Sequence, residues 1–210
     1  MDRDMAENCF HTDEQRDVLH SLRHAAVCMK AASSHPEMWK WSVIAMHNAV
    51  QGAMVCHLSG TMQLGALMEG LGEEWHAFLQ HDRDHTLKEP STKLAAVWVL
   101  FERVTSGKQV HKRGLKKGQE ISWVNDSRQE PLNVQEDVKT AFKALINLRN
   151  NLVHFTPRGW SIETSGLPVM FARRARFIAR IEAAGWAFRH LEASERDALN
   201  TMLCDMMSLS

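Results

Sequence analysis

Apolar residues recur every three or four positions along most of the chain, which is the spacing of amphipathic helices. The clearest run lies between Pro36 and Gly60, and its apolar members are Trp39, Val43, Met46, Val50, Met54 and Leu58. Proline suits a first helical turn and glycine suits a helix end. The pattern therefore predicts one long helix between these two residues.

The same spacing predicts helices on both sides of this run. Upstream, Thr12 followed by Gln15 has the form of a capping box, which predicts a helix from Thr12 to about Ala32. Downstream, apolar periodicity with start and stop residues predicts helices over about 73–85, 90–107, 133–155, 168–190 and 194–207. Pro90 and Asn133 are the expected starts of two of them. The chain therefore contains about seven helices and no internal repeat.

Residues 107–133 interrupt the helical pattern. They hold three glycines, Pro131 and a short strand-like piece, Ile121–Val124. The sequence thus predicts an all-α fold, a bundle of about six to seven helices with a long connector that contains a short β piece. We expect residues 1–35 to pack on or extend the bundle and 36–210 to form the helical domain.

The charge balance excludes a protein held to nucleic acid or membrane by bulk charge, because 25 basic residues offset 25 acidic ones in 210 residues. The charges are nevertheless separated along the chain. Residues 108–117 carry five Lys or Arg and no acid, and 69–89 carry six acids against two bases. Arg173, Arg174, Arg176 and Arg180 form a second basic cluster. Local contacts with phosphates therefore remain open, although solvated basic surfaces are also common.

Several classes of chemistry lack their sequence features. The first eleven residues do not resemble a signal peptide, no stretch approaches the ~20 apolar residues that span a bilayer, and the four cysteines are scattered. These features favour a soluble, cytoplasmic protein with no membrane contact.

The sequence also lacks the usual features of a metal or nucleotide site. The HxxxH pairs His20/His24 and His81/His85 have no evident third ligand, and no phosphate-binding glycine motif occurs. We therefore expect neither a metal nor a cofactor.

One arginine stands out on the helix predicted for about 134–155. Its apolar stripe consists of Val138, Ala141, Leu145, Leu148, Leu152 and Phe155. Arg149 falls about 40° from the centre of that stripe, where a guanidinium is unfavourable unless it is paired or lies in a wet crevice. Asn150 and His154 are four residues apart and share a face. Because Arg149 and His154 lie about 140° apart on the helix, a kinked helix end or a second copy of the helix would be needed to bring them together.

The arrangement Arg149-Asn150-x-x-x-His154, near the end of an amphipathic helix in an all-α chain, resembles the motif of the HEPN superfamily. That motif is an arginine, often followed by a polar residue, with four to six residues before a histidine. The resemblance covers six residues closely and the helical pattern over about 36–190 loosely. It implies a small helical bundle, frequently a homodimer with two motifs in one cleft, and for many members metal-independent endoribonuclease activity in toxin–antitoxin, phage-defence or RNA-processing systems.

The resemblance implies a catalytic set of Arg149, Asn150 and His154. His154 would accept the proton of the RNA 2′-hydroxyl, Arg149 would stabilise the phosphate charge, and Asn150 would orient the imidazole or contact the phosphate. His154 of a second subunit would protonate the leaving oxygen. An antitoxin or another partner protein is a further expectation.

We also expect substrate contacts outside the motif. His47 and Gln51 interrupt an apolar helix one turn apart and would line the same cleft, whereas Lys112, Arg113 and Arg158 would contact RNA. Two alternatives stay open from the residues alone. In the first, both residues are structural: Arg149 pairs with a buried carboxylate and His154 interacts with the helix dipole. In the second, the protein is a non-catalytic dimer that binds RNA or a protein partner.

Overall fold

The computed structural model describes residues 10, 12–60, 64–80, 88–106, 131–154, 159 and 161–209. These residues form seven helices and no strand, which confirms the predicted all-α bundle. The helices are α1 (Glu14–Ala31), α2 (Met38–Leu58), α3 (Leu71–Gln80), α4 (Val97–Ser106), α5 (Glu136–Val153), α6 (Leu167–Ala183) and α7 (Ala193–Met207). The predicted β piece Ile121–Val124 lies outside the described residues.

The first helix starts one residue later than its sequence indicates. Asp13, not Thr12, is the N-cap, because its carboxylate accepts hydrogen bonds from the backbone N–H groups of Gln15 and Arg16 at 3.0 and 2.8 Å. The side chain of Gln15 instead accepts a hydrogen bond from the backbone N–H of His190 at 3.0 Å. The expected capping box at this helix was therefore wrong, and Gln15 joins α1 to the turn before α7.

Boundaries of four further helices differ from those predicted. Helix α3 begins at Leu71 rather than near residue 73. Helix α4 begins at Val97 rather than Pro90, because an isolated antiparallel bridge pairs Leu94 with Leu67. Helix α5 begins after Gln135 rather than Asn133. Helix α6 ends at Ala183 rather than near His190. Shortly after that end, Gly185 adopts a φ of +79°, a left-handed conformation that ends helices and favours glycine.

Helix α2 is the centre of the bundle. It packs against α1, α4, α5 and α6, and its buried residues cover more than half of its circumference. Its polar Ser42 is accommodated because the hydroxyl donates to the Ala25 carbonyl of α1 at 2.8 Å. Helix α7 packs on α1 and α6. No helix in the described part of the chain is long and apolar enough to cross a membrane.

One member of the predicted basic cluster belongs to the core instead. Arg174 of α6 is completely buried, donates from Nη2 to the Val138 carbonyl of α5 at 2.9 Å, and lies 5.6 Å from the ring centre of Phe142. Its Nε and Nη1 have no hydrogen-bond partner among the described residues. Burial lowers the pKa of this guanidinium to about 10, Arg173 contributes in the same direction, and Asp137 opposes. Arg174 is therefore not available to RNA, and it joins α5 to α6.

The incomplete pairing of Arg174 yields a prediction about stability. Replacing a partly paired buried ion by an apolar side chain of similar length is often neutral or stabilising. We therefore expect Arg174→Met to stay within about 1 kcal/mol of the wild-type free energy of unfolding, or to exceed it. Arg174→Ala leaves a cavity, and we expect it to lose about 3 kcal/mol. Urea unfolding followed by tryptophan fluorescence measures both, and equal losses for Met and Ala would show that the charge itself stabilises the fold.

Candidate functional site

Helix α5 carries the motif residues on its last turns. Its buried residues are Ala141, Phe142, Leu145 and Leu152, and with them the helix packs against α2 and α6. These residues belong to the apolar face that the sequence indicates. Since this face fixes the rotation of α5, Arg149 is directed toward the edge of the interface with α2.

Arg149 lies half-buried at that edge. Its Nη1 donates to the side-chain oxygen of Asn150 at 3.1 Å, whereas its Nε is fully covered and has no hydrogen-bond partner among the described residues. None of the ion pairs between described residues includes Arg149. The guanidinium therefore reaches from solvent into the protein and keeps its positive charge without a described carboxylate partner.

His47 lies on the opposing helix, α2, within electrostatic range of Arg149. Its side chain is 4% exposed, and its Nδ1 has no hydrogen-bond partner among the described residues. Burial lowers the pKa of the imidazole, the charge of Arg149 lowers it further, and a hydrogen bond with Asn48 raises it. The imidazole is therefore neutral near pH 7. Gln51, one turn further along α2, is half-buried.

His154 occupies a different environment at the C-cap of α5. Its backbone N–H donates to the Asn150 carbonyl at 2.8 Å, and its side chain is exposed. The amide oxygen of Asn150, which was expected to orient this imidazole, accepts a hydrogen bond from Arg149 instead. Within one chain, the structure thus brings together Arg149, Asn150 and His47 but gives the His154 imidazole no described hydrogen bond to them.

The remaining candidates fall into two groups. Lys112, Arg113 and Arg158 lie outside the described residues, as do His81 and His85. His24 of the other HxxxH pair has its Nε2 3.5 Å from the Cys28 sulfur. Over the ranges that the structure describes, no three His, Cys, Asp or Glu side chains form a group that could hold a metal ion.

Sequence reasoning passed over a second buried histidine on α2. His57 is 4% exposed, and its Nδ1 has no hydrogen-bond partner in the described part of the chain. Burial lowers the pKa of His57 to about 4. The neighbouring Cys56 is also buried, and burial raises the pKa of its thiol. The position of His57 in the last turn of an apolar helix was the available signal, because most residues of that helix face the core.

Comparison with known proteins gives no relative: no family model, no curated protein and no solved structure matches this chain.

The buried histidines of α2 yield a prediction about pH. The unfolded chain binds a proton at His57 near pH 6.5, whereas the folded chain does so only near pH 4. The unfolded state therefore holds more protons between these values, and stability falls as the pH falls through this window. We expect His57 to remove about 2 kcal/mol from the free energy of unfolding between about pH 7.5 and about pH 5. His47 acts in the same direction.

The comparison of two variants isolates this effect. Urea unfolding at both pH values should show that His57→Leu loses about 2 kcal/mol less stability than wild type on acidification. His190→Leu is the matched control because that histidine is exposed. Its free energy of unfolding should change with pH as that of wild type does. Identical pH dependence in all three proteins would mean that His57 is protonated in the folded state.

Proposed function

We propose that this protein is a HEPN-like, metal-independent endoribonuclease that acts in the cytoplasm. The observation that supports the proposal best is the half-buried Arg149, whose Nε has no described partner and whose charge no described carboxylate offsets. A buried or half-buried cation is unfavourable without an anion. A phosphodiester would supply that anion, and arginine is suited to hold it.

The proposed reaction uses groups that RNA and the motif provide. His154 accepts the proton of the 2′-hydroxyl, the 2′-oxygen attacks phosphorus, and the 5′-oxygen leaves with a proton. Arg149 stabilises the charge that develops on the phosphate. Asn150 holds the guanidinium through the 3.1 Å hydrogen bond. His47 and Gln51 contact the substrate from α2, while Lys112, Arg113 and Arg158 contact it from the remaining chain.

The exposed His154 is the reason to propose a homodimer. One chain does not pair its imidazole with Arg149, whereas a two-fold axis along the end of α5 would place two motifs in one cleft. His154 of one subunit would then accept the proton and His154 of the other would protonate the leaving oxygen. An antitoxin or another inhibitory partner covering this cleft, in a toxin–antitoxin or defence system, is part of the same proposal.

One observation favours a second function without catalysis. The Asn150 side chain is engaged with Arg149, so the exposed His154 has no described group to fix its tautomer. The second candidate is therefore a non-catalytic helical dimer that binds RNA or a protein partner through the cleft around Arg149.

A cleavage assay separates the two functions. We expect purified protein to cut single-stranded RNA in the presence of EDTA, and His154→Ala to reduce the rate by about 100-fold or more because a general acid–base group is removed. His35→Ala is the matched control, since His35 is an exposed histidine on the turn before α2. Cleavage is followed on a labelled oligonucleotide by gel electrophoresis.

The possible outcomes have distinct meanings. Undiminished cutting by His154→Ala contradicts the proposed roles. RNA binding that survives His154→Ala, with no cleavage by any variant, supports the non-catalytic dimer. Loss of activity in wild type on adding EDTA would contradict a metal-independent reaction.

A further inference from the structure

Helix α3 differs from the other six described helices because it packs against none of them. It buries none of its ten residues. None of its Cα atoms lies within 8 Å of a Cα atom of another described helix. Its sequence is nevertheless amphipathic and includes Trp75, Phe78 and Leu79. An apolar helix face that the other described helices leave uncovered is a candidate interaction surface.

A hydrogen bond joins α3 to the stretch around Ser91. The Trp75 indole N–H donates to the Ser91 carbonyl at 3.0 Å, and the Trp75 ring meets Phe78 edge to face at 5.6 Å. The stretch around Ser91 is fixed in turn, because the Met68 N–H donates to the Lys93 carbonyl at 2.8 Å. Arg103 of α4 donates to the carbonyls of Gly65 and Leu67 at 2.9 and 2.8 Å. These hydrogen bonds connect α3 to α4 through the stretches around Met68 and Ser91.

An open groove of about 530 Å³ lies between α3 and residues 88–91. Ala77, Phe78 and Pro90 form its apolar part, and Glu74, Lys88 and Glu89 contribute charged groups. Large apolar side chains are also exposed on α3 and on the two bridged stretches beside it: Met68 and Leu79 are each 44% exposed, and Leu94 is 43% exposed. An apolar surface with a polar rim is typical of protein interaction sites.

The charge of this surface restricts what can bind. Residues 64–80 and 88–96 contain four glutamates and two lysines, and α3 itself has two glutamates and no Lys or Arg. Such a surface repels the phosphates of RNA and attracts a basic partner. It is therefore unsuited to the substrate proposed for the α5 motif.

We propose that the groove beside α3 binds a basic amphipathic helical segment of a partner protein. The apolar face of that segment packs on Phe78, Ala77 and Pro90, and its Lys or Arg side chains approach Glu74 and Glu89. The lining residues of α3, Glu74, Ala77 and Phe78, span about 6 Å at 1.5 Å per residue, so the groove contacts about one turn of the bound segment. This interaction uses a surface distinct from the motif residues and does not depend on nuclease activity.

The test uses a synthetic helical peptide of leucine and lysine with amphipathic spacing and a fluorescent label. We expect it to bind the full-length protein with an affinity that decreases as salt is raised. Glu74→Lys/Ala77→Arg, which reverses the charge and narrows the groove, should weaken binding about tenfold or more. The matched control is Glu37→Lys/Ala183→Arg, which makes the same changes at exposed residues elsewhere and should bind within about twofold of wild type.

Three results would overturn the proposal. The first is equal binding by the two double variants, and the second is equal binding of a peptide in which glutamate replaces lysine. The third is that wild type binds no peptide but self-associates, and that Glu74→Lys/Ala77→Arg abolishes this self-association. A second copy of the chain would then be the occupant of the groove. Since Glu74 and Ala77 are exposed, thermal melting by circular dichroism should show both variants to be folded.

Discussion

The packing of α5 against α2 is the constraint on which the rest of the structure depends. Leu145 and Leu152 are buried in this contact region, and their burial fixes the rotation of α5. A helix oriented in this way cannot turn Arg149 fully into solvent, because the arginine lies beside the apolar stripe. The same rotation places the guanidinium near His47, which α2 directs inward. The electrostatics of the candidate site are thus a consequence of apolar packing.

The interior holds polar groups that it does not fully satisfy. Arg149, Arg174, His47 and His57 each have a buried nitrogen without a partner among the described residues. Each such group is unfavourable by about 1–3 kcal/mol. The four respond differently: the histidines stay neutral, Arg174 makes one backbone hydrogen bond, and only Arg149 keeps a half-buried cation with access to solvent. That difference distinguishes Arg149 as the candidate anion-binding residue among the four.

Most of the fold could be predicted from periodicity, because burial of one helix face imposes it directly on the sequence. The start of α4 could not be predicted in this way, because Pro90 resembles a helix start. The bridge between Leu67 and Leu94, which delays that start, joins residues distant in the chain. The half-buried position of Arg149 at an apolar edge followed from the helical wheel, and the position of His154 near a helix end followed from the predicted range of that helix. The unpaired Nδ1 of His47 could not be predicted from the sequence, because hydrogen-bond partners depend on which helices become neighbours.

The junction between α1 and α7 has a consequence for the order of folding. Arg16 Nε donates to the Glu195 carboxylate at 2.7 Å, across a sequence separation of 179 residues. Closing a loop of that length costs about 5 kcal/mol of chain entropy. Helices α1 and α2 are joined by a short turn and meet with far less loss. These costs favour early contact between α1 and α2 and late docking of α7, after the intervening helices have shortened the distance between the two ends.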